Sequence, residues 1–202
     1  MTSMTPSDDP RLVRRAQVLD LARSVPLGVL MPLEASLLVT IALKHFDAPG
    51  LVKGIVAAAN GVGLLATPLV TSLARRWGRP VMIPVACLSA IGVIGFVLGS
   101  LDSLALFAVG SVVGIATINA MYPLVTVTYE RNFPAAELGR RVGWGMSLKV
   151  LVSAVIGLSM GAYMNGHPGR WWIIPAAGGL ACAVLVVLHL QTPSAQIGRA
   201  HV

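Results

Sequence analysis

Apolar residues in this chain come in long runs, not in alternation and not in a stripe along one helix face. Six runs stand out, near residues 22–43, 51–74, 81–101, 103–128, 142–164 and 171–190. Each is about 20 residues long, which as a helix crosses a bilayer. Most carry no charge in their central part, and a soluble core helix is rarely so apolar all round. The pattern predicts an all-α, polytopic six-helix membrane bundle. Composition agrees: 55 % of residues are hydrophobic and 11 % charged, the balance of a chain whose solvent is mostly lipid.

The polar positions between the runs set the orientation. Arg11, Arg14 and Arg15 precede the first run and Arg23 sits at its start. Arg75, Arg76 and Arg79 lie between the second and third, and Arg131, Arg140 and Arg141 between the fourth and fifth. The alternate loops carry only Lys44, Lys53 and Arg170. Cytoplasmic loops hold the excess of Lys and Arg, so both termini are expected in the cytoplasm, with the chain in a plasma (inner) membrane. This asymmetry accounts for the net charge of +7. It leaves no basic patch on a soluble domain, so no nucleic-acid partner is expected. Trp77, Trp144, Trp171, Trp172 and Tyr163 fall at the ends of runs, where aromatic residues favour the headgroup level or pack helix ends.

Residues 1–20 read as a cytoplasmic tail and a short interfacial helix running into the first span. Asp9 and Pro10 form an N-cap and first-turn pair, and no secretory cleavage site follows. Residues 21–190 form the six-span domain and 191–202 a C-terminal tail. The last six residues, Ile197 to Val202, are what ATC GGA AGA GCA CAC GTC encodes, a string resembling a common sequencing adapter. They read as read-through, which would make the chain the front part of a longer protein.

Small residues four apart mark close helix contacts: Gly95 and Gly99, Gly110 and Gly114, Gly157 and Gly161, Ala57 and Gly61. Pro32, Pro68, Pro84 and Pro123 mark kinks. Cys87 and Cys182 lie within spans without metal-ligand neighbours, and His45, His167, His189 and His201 form no cluster. No nucleophile elbow, phosphate loop or zinc signature occurs, so neither an enzyme nor a cofactor site is expected.

The loop after the second span reads Thr71-Ser72-Leu73-Ala74-Arg75-Arg76-Trp77-Gly78-Arg79-Pro80. It resembles the signature loop of the major facilitator superfamily of transporters in Arg76, Gly78 and Arg79. It departs at Thr71, Arg75 and Pro80, where that signature has Gly, Asp and a basic residue. Glu130-Arg131-Asn132-Phe133-Pro134 and Gly139-Arg140-Arg141 resemble the family's linker into the fifth span. The resemblance covers about residues 11–190. It implies the N-terminal six-helix half of a transporter, two three-span inverted repeats, with a missing C-terminal six-helix half as partner. The conformational loop motif would be Arg76, Gly78 and Arg79. Leu106 and Ala162 stand where proton-coupled drug exporters carry Arg and Pro, which counts against a drug–proton antiporter.

Two charges fall inside the spans, Glu34 roughly 15 Å and Lys149 roughly 10 Å from the cytoplasmic face by helical rise. Each costs about 2.5–3.5 kcal/mol at mid-bilayer if unpaired, so each needs a partner or a wet cavity. In the family the first and fifth spans are neighbours, so the two are candidates to pair with each other. Asn119 and Tyr122, three apart on one face of the fourth span, join them because the first and fourth spans line the family's pathway. Glu34, Asn119, Tyr122 and Lys149 are thus the expected substrate-pathway residues. The alternative is that each merely bonds a neighbouring helix. The expected function is secondary transport of a small-molecule solute by alternating access, with a coupling proton as a candidate second cargo. The competing reading is a stand-alone six-span protein acting as a dimer or structural partner.

Overall fold

A computed structural model describes residues 10–192. The expected Asp9 cap and the adapter-like residues 197–202 lie outside the described residues. Helix makes up 89 % of the structure, with no strand among the described residues. In chain order the elements are α1 (Pro10–Pro32), a π-helical turn (Leu33–Leu37), α2 (Leu38–Lys44), α3 (Gly50–Ala57), α4 (Ala59–Trp77), α5 (Met82–Gly99), α6 (Leu104–Asn132), α7 (Ala135–Gly166), a 3-10 turn (Pro168–Arg170) and α8 (Ile173–Gln191). Five helices are long and apolar enough to cross a membrane, and six when the bent pair α3–α4 counts as one span. They fall on the six apolar runs.

The first span runs without a break through the expected boundary at residues 20 and 21, because Pro10 opens α1 directly, its fixed φ already being helical. The second span is bent by 46° between α3 and α4. That break sits at Ala58, with Gly54 and Gly61 on either side of it, while Pro68 lies inside the unbroken α4. Glycine costs a helix about as much as any residue short of proline, so the bend falls where helix is cheapest to interrupt. Gly78 ends α4 with φ +60°, the left-handed cap conformation that glycine adopts without strain.

The helices follow one another across the bundle in the order α7, α1, α8, α5, α6, α4, each packed on the next. Arg15 Nη2 donates to the Gln191 carbonyl at 3.5 Å, so the two described chain ends share one face of the bundle, the terminal face. At the opposite face Phe46, Phe107 and Trp171 pack ring to ring, with centroids 5.0–5.9 Å apart. His45 stacks on Trp171 there, and its Nε2 lies 3.3 Å from Asp102 Oδ1. Trp171 is therefore a buried packing residue, while Trp77, Trp144 and Trp172 are exposed at the ends of their spans.

Two of the four small-residue pairs meet a neighbouring backbone. A Cβ on Gly110 would lie 2.4 Å from both Gly95 O and Gly99 N, and one on Gly95 would lie 2.6 Å from Gly114 N. The helices α5 and α6 thus touch backbone to backbone. By contrast Gly157 faces only Pro32 Cβ at 3.4 Å, and Gly61 and Gly161 have nothing within 4 Å. At Gly157 the opposing helix α1 stands at ordinary van der Waals distance, and at Gly61 and Gly161 the space is open.

Candidate functional site

A cavity of about 710 Å³ opens between α1, α6 and α7 toward the terminal face, with His189 of α8 at its back. Its walls combine apolar side chains such as Leu27, Met121, Val125 and Met146 with Arg23, Ser24, Tyr122, Tyr129 and Lys149. The helices leave this space because α7 touches α1 closely and α6 hardly at all. Gly28 lets α1 come so near α7 that an added Cβ would lie 2.7 Å from the Lys149 carbonyl oxygen. Gly145 does the same lower down, where a Cβ would meet Asp20 Oδ2 at 2.8 Å.

Lys149 is 8 % exposed. Its ammonium sits over the Tyr122 ring, 5.2 Å from the centroid, an attraction that holds the head without neutralising it. Among the described residues no acceptor lies within hydrogen-bonding distance of Nζ and no carboxylate within 4.0 Å. Glu34, half-buried on the π-helical turn, is near enough to interact electrostatically with Lys149 and with the Asn119 amide. It does not close a contact pair with Lys149, and it does not line the cavity. Asn119 is buried and gives its Nδ2 proton to the Ile115 carbonyl at 3.0 Å. Of the four expected pathway residues, Tyr122 and Lys149 share the cavity wall, while Glu34 and Asn119 stand behind it.

The expected loop residues Arg76, Gly78 and Arg79 lie exposed at the end of α4, away from this cavity. The φ of Gly78 is reason enough for a glycine there, whatever else the loop does.

A second charged group was not anticipated as a unit. Asp20 and Arg23, one turn apart on α1, form an ion pair at 3.0 Å with side chains 6 % and 4 % exposed. Tyr129 of α6 donates its hydroxyl proton to Asp20 Oδ1 at 2.7 Å, and Ser24 donates to the Asp20 carbonyl at 3.0 Å. Arg23 also lies 6.0 Å from the Tyr129 ring centroid. The carboxylate thus has the charge and the hydrogen bonds a buried ion needs. Nearby, Arg141 of α7 bonds Glu137 Oε2 at 2.7 Å and also reaches Gln17 of α1. His189, 1 % exposed, shares a hydrogen bond with Ser89 of α5, Nδ1 to Oγ 3.2 Å. The signal in the sequence was the i, i+3 spacing of Asp20 and Arg23 beside Ser24 on one face. Arg23 stands at the start of a span, where it is equally a loop charge.

No group of three His, Cys, Asp or Glu side chains able to hold a metal occurs among the described residues. Comparison of the chain with protein-family models, with curated proteins and with solved structures gives no match.

Proposed function

We propose that the chain is the N-terminal six-helix half of a secondary transporter of the major facilitator type, moving a small solute by alternating access. The observation that carries the reading is the cavity itself. A charged ammonium at membrane depth, unpaired in contact and facing open space among apolar helices, is costly. Such a group persists where it serves a wet pathway. The cavity volume lies within the range of small-molecule sites, about 300–1,000 Å³. The arginine-rich loops support cytoplasmic termini in an inner membrane, which would make the terminal face cytoplasmic and the cavity inward-open. A coupling proton is part of the proposal, with Glu34 as its carrier.

The test is uptake in proteoliposomes, comparing the chain alone with the chain joined to a second six-helix half from the same genome. Uptake should need both halves. Uptake by the monomeric chain alone, or none with both halves present, overturns the proposal. Cysteine labelling from outside should reach positions near Asp47, Asp102 and Gly166, and labelling near Trp77 would reverse the orientation.

A further inference from the structure

The geometry points to an amphipathic organic anion as the molecule held in the cavity, with its acid group on Lys149. This rests on the transport reading, since it takes the cavity to be the substrate site.

Charge on the cavity wall selects the sign. Two cations line the space, Arg23 and Lys149. Arg23 is cancelled at 3.0 Å by Asp20. Among the described residues Lys149 has no carboxylate or hydrogen-bond acceptor in contact, and Glu34, which interacts with it electrostatically, does not line the cavity. The one carboxylate among the lining residues, Glu130, is solvent-exposed. A cation seated here would face the uncancelled ammonium at low dielectric, where like charges repel most.

Hydrogen-bond direction selects the group. Of the four hydroxyls on this wall, three have already given their protons away, and that of Tyr122, beside the ammonium, is the exception. Tyr129 donates to Asp20 Oδ1, Ser24 to the Asp20 carbonyl and Thr126 to the Tyr122 carbonyl. What those side chains still offer is lone pairs. The ammonium has three donors, none used by an acceptor among the described residues. A carboxylate or other oxyanion supplies acceptors alone, which suits the ammonium. The remaining wall of Leu27, Met121, Val125 and Met146 suits an apolar body, and the Tyr122 ring beneath Nζ offers that body a flat face.

The experiment uses the 202-residue chain in lipid nanodiscs, with binding read by equilibrium dialysis against empty nanodiscs. The probes share an indole ring and differ in charge: indole-3-acetate, tryptamine and the neutral alcohol tryptophol. Indole-3-acetate should bind most tightly. Lys149→Met should weaken it at least about tenfold, the size of one lost charge-assisted hydrogen bond, and weaken tryptophol, whose hydroxyl carries no charge, by clearly less. Lys149→Arg should keep the preference for the acid. If the wild-type chain does not retain the acid, or retains amine or alcohol as well as the acid, the inference is overturned. It is also overturned if folded Lys149→Met binds the acid as before. Should neither variant fold, the order of the three probes on wild type decides alone. Acid binding without uptake by the two-half protein overturns transport and leaves the anion site; uptake that favours the amine does the reverse.

Discussion

The two sides of this bundle are held together by different means. On one side α5, α6 and α8 pack through glycines, with Gly95, Gly99 and Gly110 in backbone contact across α5 and α6 and Gly178 set against Phe96 and Leu33. The other side joins α1 to α7. Only 11 % of the most apolar stretch of α7 is buried, against 44–50 % for the spans of α1, α5, α6 and α8. Close approach at Gly28 and Gly145 is joined there by polar ties: Arg141 of α7 reaches Gln17 of α1, and Asp20, paired with Arg23 on α1 itself, accepts from Tyr129 of α6. In lipid, apolar side chains gain little by turning inward. Both sides use close backbone approach, and the side that encloses the cavity, with little of α7 buried, adds a few directed bonds.

The difference is open to direct test. The largest effect should come from the polar ties. Asp20→Asn leaves Arg23 buried without its counter-charge and should cost about 3–5 kcal/mol, read as a lower unfolding midpoint in detergent. Arg23→Met added to Asp20→Asn should recover much of that loss. A double variant as unstable as the single one would show that the stranded charge of Arg23 is not the cause of the loss.

The same methyl group placed on each side should then separate them. Gly110→Ala drives a Cβ to 2.4 Å from backbone on α5 and should cost about 3 kcal/mol, the upper range for overpacking. Gly161→Ala, with nothing within 4 Å, should be neutral or gain up to about 1 kcal/mol from helix propensity. Equal losses of folded yield from the two would erase the contrast.

Smallest of all should be the coupling between Glu34 and Lys149. The two interact without contact, and Glu34 is half-exposed, so a cycle of Glu34→Gln, Lys149→Met and the double variant should give about 1 kcal/mol or less. A coupling of several kcal/mol would mean that they close into a pair and that the cavity lacks a free charge.

The spans were legible because hydrophobic runs report length and solvent directly, and every helix long enough to cross a membrane lies on one of the six runs. Which glycines make contacts was not legible. Spacing puts Gly157 and Gly161 on one face, but only the tertiary arrangement says whether a helix stands opposite. Trp171 fitted a headgroup belt by position, yet its ring is buried against Phe46, Phe107 and His45 because the 3-10 turn before α8 carries it inward. At the site, Tyr122 and Lys149 could be picked out as polar residues in apolar runs. For Asp20 and Arg23 the sequence offers only their i, i+3 spacing near a span end, where polar residues are ordinary, and the meeting of α1 with α6 at Tyr129 is what makes them a buried unit.

The π-helical turn at Leu33–Leu37 has a consequence for how the first span tolerates changes in length. A π turn holds one residue more than an α turn, and one residue is about 100° of rotation along a helix. The side chains of α2 therefore keep their angular phase relative to α1 only if that extra residue is looped out of the count. A chain one residue shorter, lacking the exposed Ala35, would present Ile41 and Ala42 to the core in the same phase from a plain α-helix. A deletion elsewhere in α1 would turn every residue beyond it onto a different face. The span thus carries one spare residue, placed beside Glu34, at the point where the chain can be lengthened or shortened without unwinding the rest.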